Sequence, residues 1–82
     1  MKRDFIIIAP TLALAQKWLR EKHDISLESI VNSITEVQEE KYKIDSWQYR
    51  MCINGHYQYG AGLYSTYEEA LEAGINKALE FI

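Results

Sequence analysis

Residues 66–82, TYEEALEAGINKALEFI, settle the kind of domain this chain forms. Apolar or small residues fall at Tyr67, Ala70, Leu71, Gly74, Ile75, Ala78, Leu79 and Ile82, in steps of three and four that trace one face of a helix. Glu68, Glu69, Glu72, Asn76, Lys77 and Glu80 take the other face. Thr66 and Glu69 stand at capping-box spacing, and Glu68 and Glu69 lie in the first turn, where the helix dipole favours negative charge. Gly74 lies in the middle of the apolar face at a propensity penalty of about 1 kcal/mol against Ala. A glycine there implies close approach to something flat, such as a sheet.

The sheet is expected just upstream. Trp47, Tyr49, Met51 and Ile53 alternate with Gln48, Arg50, Cys52 and Asn54, the period-two pattern of a half-buried strand. A return strand follows, with Tyr57, Tyr59, Ala61 and Leu63 on one side. A two-residue Asn54-Gly55 turn would pair Cys52 with Tyr57 and set the two apolar series on opposite faces. A three-residue loop, Ile53-Asn54-Gly55, would pair Met51 with Tyr57 and Tyr49 with Tyr59 and bring both series to one face. One residue of slip flips every side chain, and burial of both series favours the three-residue loop. Gly60 and Gly62 imply a bend, or a surface packed against the glycine of the last helix.

Further upstream, Ile25, Leu27, Val31 and the Thr35/Val37 pair predict a strand over about 25–37, with a bulge near Ser29–Ile30. Glu39 to Asp45 reads as a polar loop. Thr11 to about Lys22 reads as a helix with Pro10 in its first turn. Its apolar stripe is Ala15, Trp18 and Leu19, with Leu12 and Leu14 alongside. Phe5 to Ile8 is a short apolar run, either an edge strand or a lead-in to that helix. The expected fold is a single α+β domain over residues 1–82. It has two layers, a helix, a three-stranded antiparallel sheet and a second helix (α-β-β-β-α), with a short N-terminal strand as an option.

Composition bounds the function. Eighty-two residues with 48% hydrophobic and 12% aromatic content form one domain with a small core. A net charge of −3 argues against a protein that coats nucleic acid. Cys52 is the single cysteine, so no internal disulfide forms, which fits a reducing, cytoplasmic compartment. No run reaches the ~20 apolar residues of a membrane span, and the N-terminus does not read as a signal peptide.

No catalytic, cofactor or metal constellation emerges. His23, His56 and Cys52 have no partners at recognisable spacing. Glu39-Glu40 and Glu68-Glu69 are adjacent pairs, the second accounted for by capping. Gly60-x-Gly62 lacks the lysine of a phosphate loop. A non-enzymatic binding role is expected. Six tyrosines and two tryptophans exceed what so small a core hides, and Tyr42, Tyr57, Tyr59, Tyr64 and Tyr67 cluster around the hairpin. They imply either a covered sheet face or a protein-interaction patch centred on Tyr57 and Tyr59, with self-association to a homodimer satisfying both.

The alternative is a nucleic-acid-binding accessory protein using Lys41, Lys43 and Arg50. The element order is that of double-stranded RNA-binding domains. Trp47-x-Tyr-Arg50 with Gly62-Leu-Tyr-Ser-Thr-Tyr-Glu-Glu-Ala70 resembles the three-stranded DNA-binding units of plant AP2 factors, but without their basic sheet face, from which phosphate affinity comes.

Residues 9–23, APTLALAQKWLREKH, followed by Asp-Ile-Ser, and residues 64–75, YSTYEEALEAGI, resemble the two ends of a group of small proteins of Bacteroides and its phages and prophages. The resemblance implies a phage- or mobile-element-associated bacterial protein. It brings no activity, cofactor or site residues.

Overall fold

A computed structural model describes residues 9–82. The order is α1 (Ala9–His23), β1 (Ile25–Gln38), β2 (Lys41–Ile53), β3 (His56–Tyr59) and α2 (Tyr67–Leu79). The strands form one antiparallel sheet in the order β1-β2-β3, and the α-β-β-β-α architecture is the one expected. The Phe5–Ile8 run lies outside the described residues.

Both helices pack on one face of the sheet. Leu12 and Leu19 of α1, Ile25 and Leu27 of β1, Met51 of β2, and Leu71, Ile75 and Ala78 of α2 form the buried core. The spacing of Leu12, Ala15 and Leu19 explains the docking of α1. Leu14 and Trp18, expected on the same stripe, are exposed instead. They fall to one side of it, and the Trp18 ring meets His23 edge-on at 4.5 Å. Arg20, Lys22 and His23 complement the dipole in the last turn of α1. Asp24, at φ 55°, ends the helix in the left-handed conformation that short polar side chains tolerate. The Gln16 Nε2 donates to the Leu27 carbonyl at 2.6 Å, tying α1 to β1.

At α2, the Glu69 amide donates to the Thr66 Oγ1 at 3.1 Å. The Glu69 carboxylate accepts from the Ser65 hydroxyl at 2.8 Å and the Ser65 amide at 3.2 Å, one residue earlier than the standard capping box. Gly74 is buried against the sheet. A Cβ there would lie 2.6 Å from the Leu27 Cδ1 and 2.9 Å from the Tyr49 Cβ. Gly60 and Gly62 do not meet this glycine. A Cβ on Gly60 would strike the Tyr49 ring, and one on Gly62, at φ 74°, would strike the Asn32 side chain. The chain bends there and returns to β2, where Trp47 and Tyr64 exchange backbone hydrogen bonds.

Three expectations are corrected. The hairpin closes through a two-residue turn, with Asn54 at φ 52° and Gly55 at φ 79°, the signs of a type I′ turn. Cys52 therefore pairs with Tyr57, and Arg50 with Tyr59. The polar stretch 39–45 is a loop only at Glu39-Glu40, because residues 41–45 already belong to β2. The irregularities in β1 lie between Val31 and Ile34 and between Glu36 and Gln38, beyond Ser29–Ile30.

β1 and β2 outrun the helices. Residues 31–45 are exposed throughout and form a two-stranded ribbon closed by the Glu39-Glu40 turn. The radius of gyration is 13.8 Å, against about 12 Å for a compact chain of this length. The base of the ribbon is laced by side chains. The Asn32 Nδ2 donates to the Gly62 carbonyl and the Ser46 Oγ, both at 2.9 Å, and the Ser33 and Ser46 hydroxyls lie 2.7 Å apart.

Two outcomes follow from this packing. Gly74→Ala destabilises the fold by about 1–3 kcal/mol in chemical denaturation, because overpacking against the Tyr49 Cβ outweighs the helix-propensity gain of about 1 kcal/mol. Burial, with Tyr64 and Glu80 nearby, raises the Tyr49 phenol above its ordinary value. The folded state thus binds this proton more tightly than the unfolded one. Its contribution is complete below the ordinary tyrosine pKa of about 10 and is lost as pH rises through the folded pKa. Thermal melts across that range show wild type weakening more steeply than Tyr49→Phe.

Candidate interaction surface on the open sheet face

The register decides which residues meet. In an antiparallel sheet, directly paired residues share a face. Ile25 with Ile53, Leu27 with Met51, Ser29 with Tyr49 and Val31 with Trp47 point to the helices. Ser26, Cys52 and Tyr57 form a row on the opposite face, and Glu28, Arg50 and Tyr59 form the next. No described helix covers this second face.

Arg50 is its centre. The Nε donates to the Glu28 Oε1 at 2.9 Å, and the Nη2 donates to the same oxygen. The guanidinium carbon lies 5.6 Å from the centroid of the Tyr57 ring, within cation–π range. The hydrogen bond to Glu28 foremost, with the Tyr59 hydroxyl contributing, raises the guanidinium above its already high ordinary value. Arg50 is thus a fixed, planar cation, half neutralised by Glu28 and framed by two phenols. Tyr57 is 61% exposed and Tyr59 56%. Large aromatic surface is held open here without a covering layer among the described residues.

The anticipated tyrosine cluster divides into three. Tyr57 and Tyr59 occupy the open face. Tyr64 and Tyr67 sit by Trp47, with the Tyr67 and Trp47 rings edge-on at 5.5 Å. Tyr42 stands out on the ribbon. The candidate cations divide as well. Lys41 and Lys43 lie on the ribbon, and Arg50 is seven residues further along β2, about 23 Å at the rise of a strand. Glu28, which fixes Arg50, carries no local sequence signal. Only the β1–β2 register reveals it.

Residues with catalytic chemistry are dispersed. His23 rests against Trp18. His56 pairs with Ile53 while Cys52 pairs with Tyr57, so His56 and Cys52 point to opposite faces of the sheet. Among the described residues no group of three or more His, Cys, Asp or Glu side chains could hold a metal ion. A groove of about 340 Å³ runs past Tyr64, Glu69, Glu72, Ala73 and Asn76. It is open to solvent, and Glu69 is committed to the cap of α2. Among the described residues no helix is long and apolar enough to cross a membrane.

These features define a small two-layer α+β domain with one helix-covered and one uncovered sheet face. No protein-family model matches the sequence, and comparison with curated proteins and with solved structures gives no significant match.

The buried core lies on the helix-covered face, so substitutions on the open face are expected to cost little stability. Arg50→Ala shifts the thermal midpoint by no more than a few degrees, as expected of a half-exposed ion pair. Met51→Ala, at the next residue but facing the core, destabilises the chain by about 2–5 kcal/mol. Paired thermal and denaturant melts of the two variants check the assignment of faces.

Proposed function

We propose that this chain is a protein-interaction module without catalytic activity, and that its binding surface is the open sheet face bearing Tyr57, Tyr59 and Arg50. The observation that carries this reading is the pair of tyrosines, more than half exposed and flanking an oriented guanidinium. Tyrosine and arginine are the side chains most enriched at interface hot spots, where large rigid surface is buried at small entropic loss. Arg50 already has its Glu28 partner, so desolvating it leaves no lone charge. A protein surface that covers both rings and hydrogen-bonds to the guanidinium and the phenol hydroxyls fits this face. The resemblance of the two ends of the chain to phage and prophage proteins supports a place on a mobile element, with a bacterial or phage protein as partner.

Nucleic-acid binding by Lys41, Lys43 and Arg50 has weaker support. Phosphate contacts need several free cations in one groove. Here Arg50 is ion-paired, and the lysines stand on a ribbon that also carries Glu36, Glu39, Glu40 and Asp45.

The test is a photo-crosslinking amino acid at position 57 in cells that express the chain at its natural level. The expected result is a discrete protein adduct that is lost when Tyr59→Ala is added. An adduct with nucleic acid, or a protein adduct indifferent to Tyr59→Ala, overturns the assignment.

A further inference from the structure

The two edges of the sheet differ in what they leave open. In an antiparallel pair, residues that exchange two backbone hydrogen bonds alternate with residues that turn theirs outward. The Gly60 amide donates to the Tyr49 carbonyl at 3.0 Å. The β2–β3 register then makes Gln58 with Met51 and His56 with Ile53 the other bonded pairs. Tyr57 and Tyr59 fall between them, so their N–H and C=O groups point away from β2, along the outer edge. Among the described residues nothing pairs with those four groups.

β1, the opposite edge, is guarded. Its outward Leu27 carbonyl accepts from Gln16 of α1 at 2.6 Å, and Leu27 itself is buried. Farther out the strand is broken by register shifts and carries Glu36. Covering helices, irregularities and charges are the usual devices that keep sheet edges from pairing. β3 has none of them. His56–Tyr59 holds no Lys, Arg, Asp, Glu or proline, and its register with β2 is unbroken. Among the described residues no helix packs on it.

We propose that β3 is a strand-addition site, and that its occupant is an extended peptide segment of the partner. The inference rests on the protein-interaction reading and specifies its mode. A helix cannot match this row of donors and acceptors, because its own backbone groups are bonded internally; an extended backbone can. The added strand bonds to Tyr57 and Tyr59, and its residues opposite them stand on the face of Arg50 with Cβ atoms about 5 Å from those of the tyrosines. One pair of residues therefore supplies both the backbone bonds and the rings. Aromatic and β-branched side chains pair best across strands with tyrosine, so the segment carries them at alternate positions. The edge is four residues long. It is bounded by the Asn54-Gly55 turn and by the bend at 60–62, where the Gly62 carbonyl accepts from Asn32. A short linear segment fits between those ends. A second copy pairing through its own β3 would bring its turn opposite that bend.

Amide hydrogen exchange of the labelled chain tests it, with peptides selected from a displayed random library as the probe. In dilute solution the Tyr57 and Tyr59 amides exchange freely, while the Gln58 amide is protected by its bond to Met51. At about ten times its Kd, a selected peptide slows exchange of both tyrosine amides roughly tenfold. A second chain, assembled by ligation at Cys52, carries N-methyl groups on the Tyr57 and Tyr59 nitrogens. It keeps both rings and every β2–β3 bond, and it no longer binds the peptides. Failure to select any peptide, binding that survives N-methylation, or protection of other amides in place of these two overturns the inference. Protection already present in the dilute chain means that the edge is covered, and protection that grows with chain concentration alone makes a second copy the occupant; either result overturns it as well. In each of these cases a Tyr59-dependent adduct from position 57 leaves the proposed function standing, with the partner held on the rings alone. Absence of that adduct with peptide addition intact counts against the proposed function and not against the edge.

Discussion

The two-residue turn at Asn54-Gly55 is the constraint on which the arrangement of surfaces depends. Both residues take positive φ, and the right-handed twist of the strands they join fits such a turn. Its length fixes the pairing of β2 with β3, and strand parity does the rest. Cys52 pairs with Tyr57 and Arg50 with Tyr59, so the tyrosines share the face of Arg50 and not the face of Met51. One residue more in that turn would carry both rings beneath the helices and leave His56 and Gln58 outside.

The remaining structure is consistent with this parity. The helix-covered face is filled by leucine, isoleucine and methionine side chains, and Gly74 lets α2 settle against Leu27 and Tyr49. The long β1–β2 hairpin serves the core only over its inner half. Its outer half leaves the domain as an amphipathic ribbon held at the root by Asn32, Ser33 and Ser46. Its tip turns at Glu40, which holds a left-handed conformation that glycine would adopt with less strain. The molecule thus separates a half that holds the buried core from two exposed surfaces.

The sequence carries much of the architecture in a form that can be read directly. The periodicity and cap of α2, the approach of Gly74 to a sheet and the alternation through Trp47–Ile53 depend on local pattern, and each corresponds to an observed element. What it conceals is register. Asn54-Gly55 is a local signal for the two-residue turn, whereas the rule that all apolar residues share one face points to the longer loop. Tyrosine is the residue for which that expectation is weakest, since its ring and hydroxyl suit a half-wet surface. The 39–45 stretch looked like a loop because its polarity reflects exposure, and a ribbon projecting into solvent is polar and extended at once. Ile34 and Ile44 could not be matched across it, nor Glu28 to Arg50, because bulges and pairing offsets between β1 and β2 have no local signature.

The arrangement of both sheet faces depends on the β2–β3 register, and nuclear Overhauser contacts across that hairpin in the labelled chain measure it directly. The structure requires backbone contacts linking Cys52 to Tyr57 and Arg50 to Tyr59. Contacts linking Met51 to Tyr57 and Tyr49 to Tyr59 would contradict it, since they would bury both tyrosines under the helices and leave the open face without its aromatic surface.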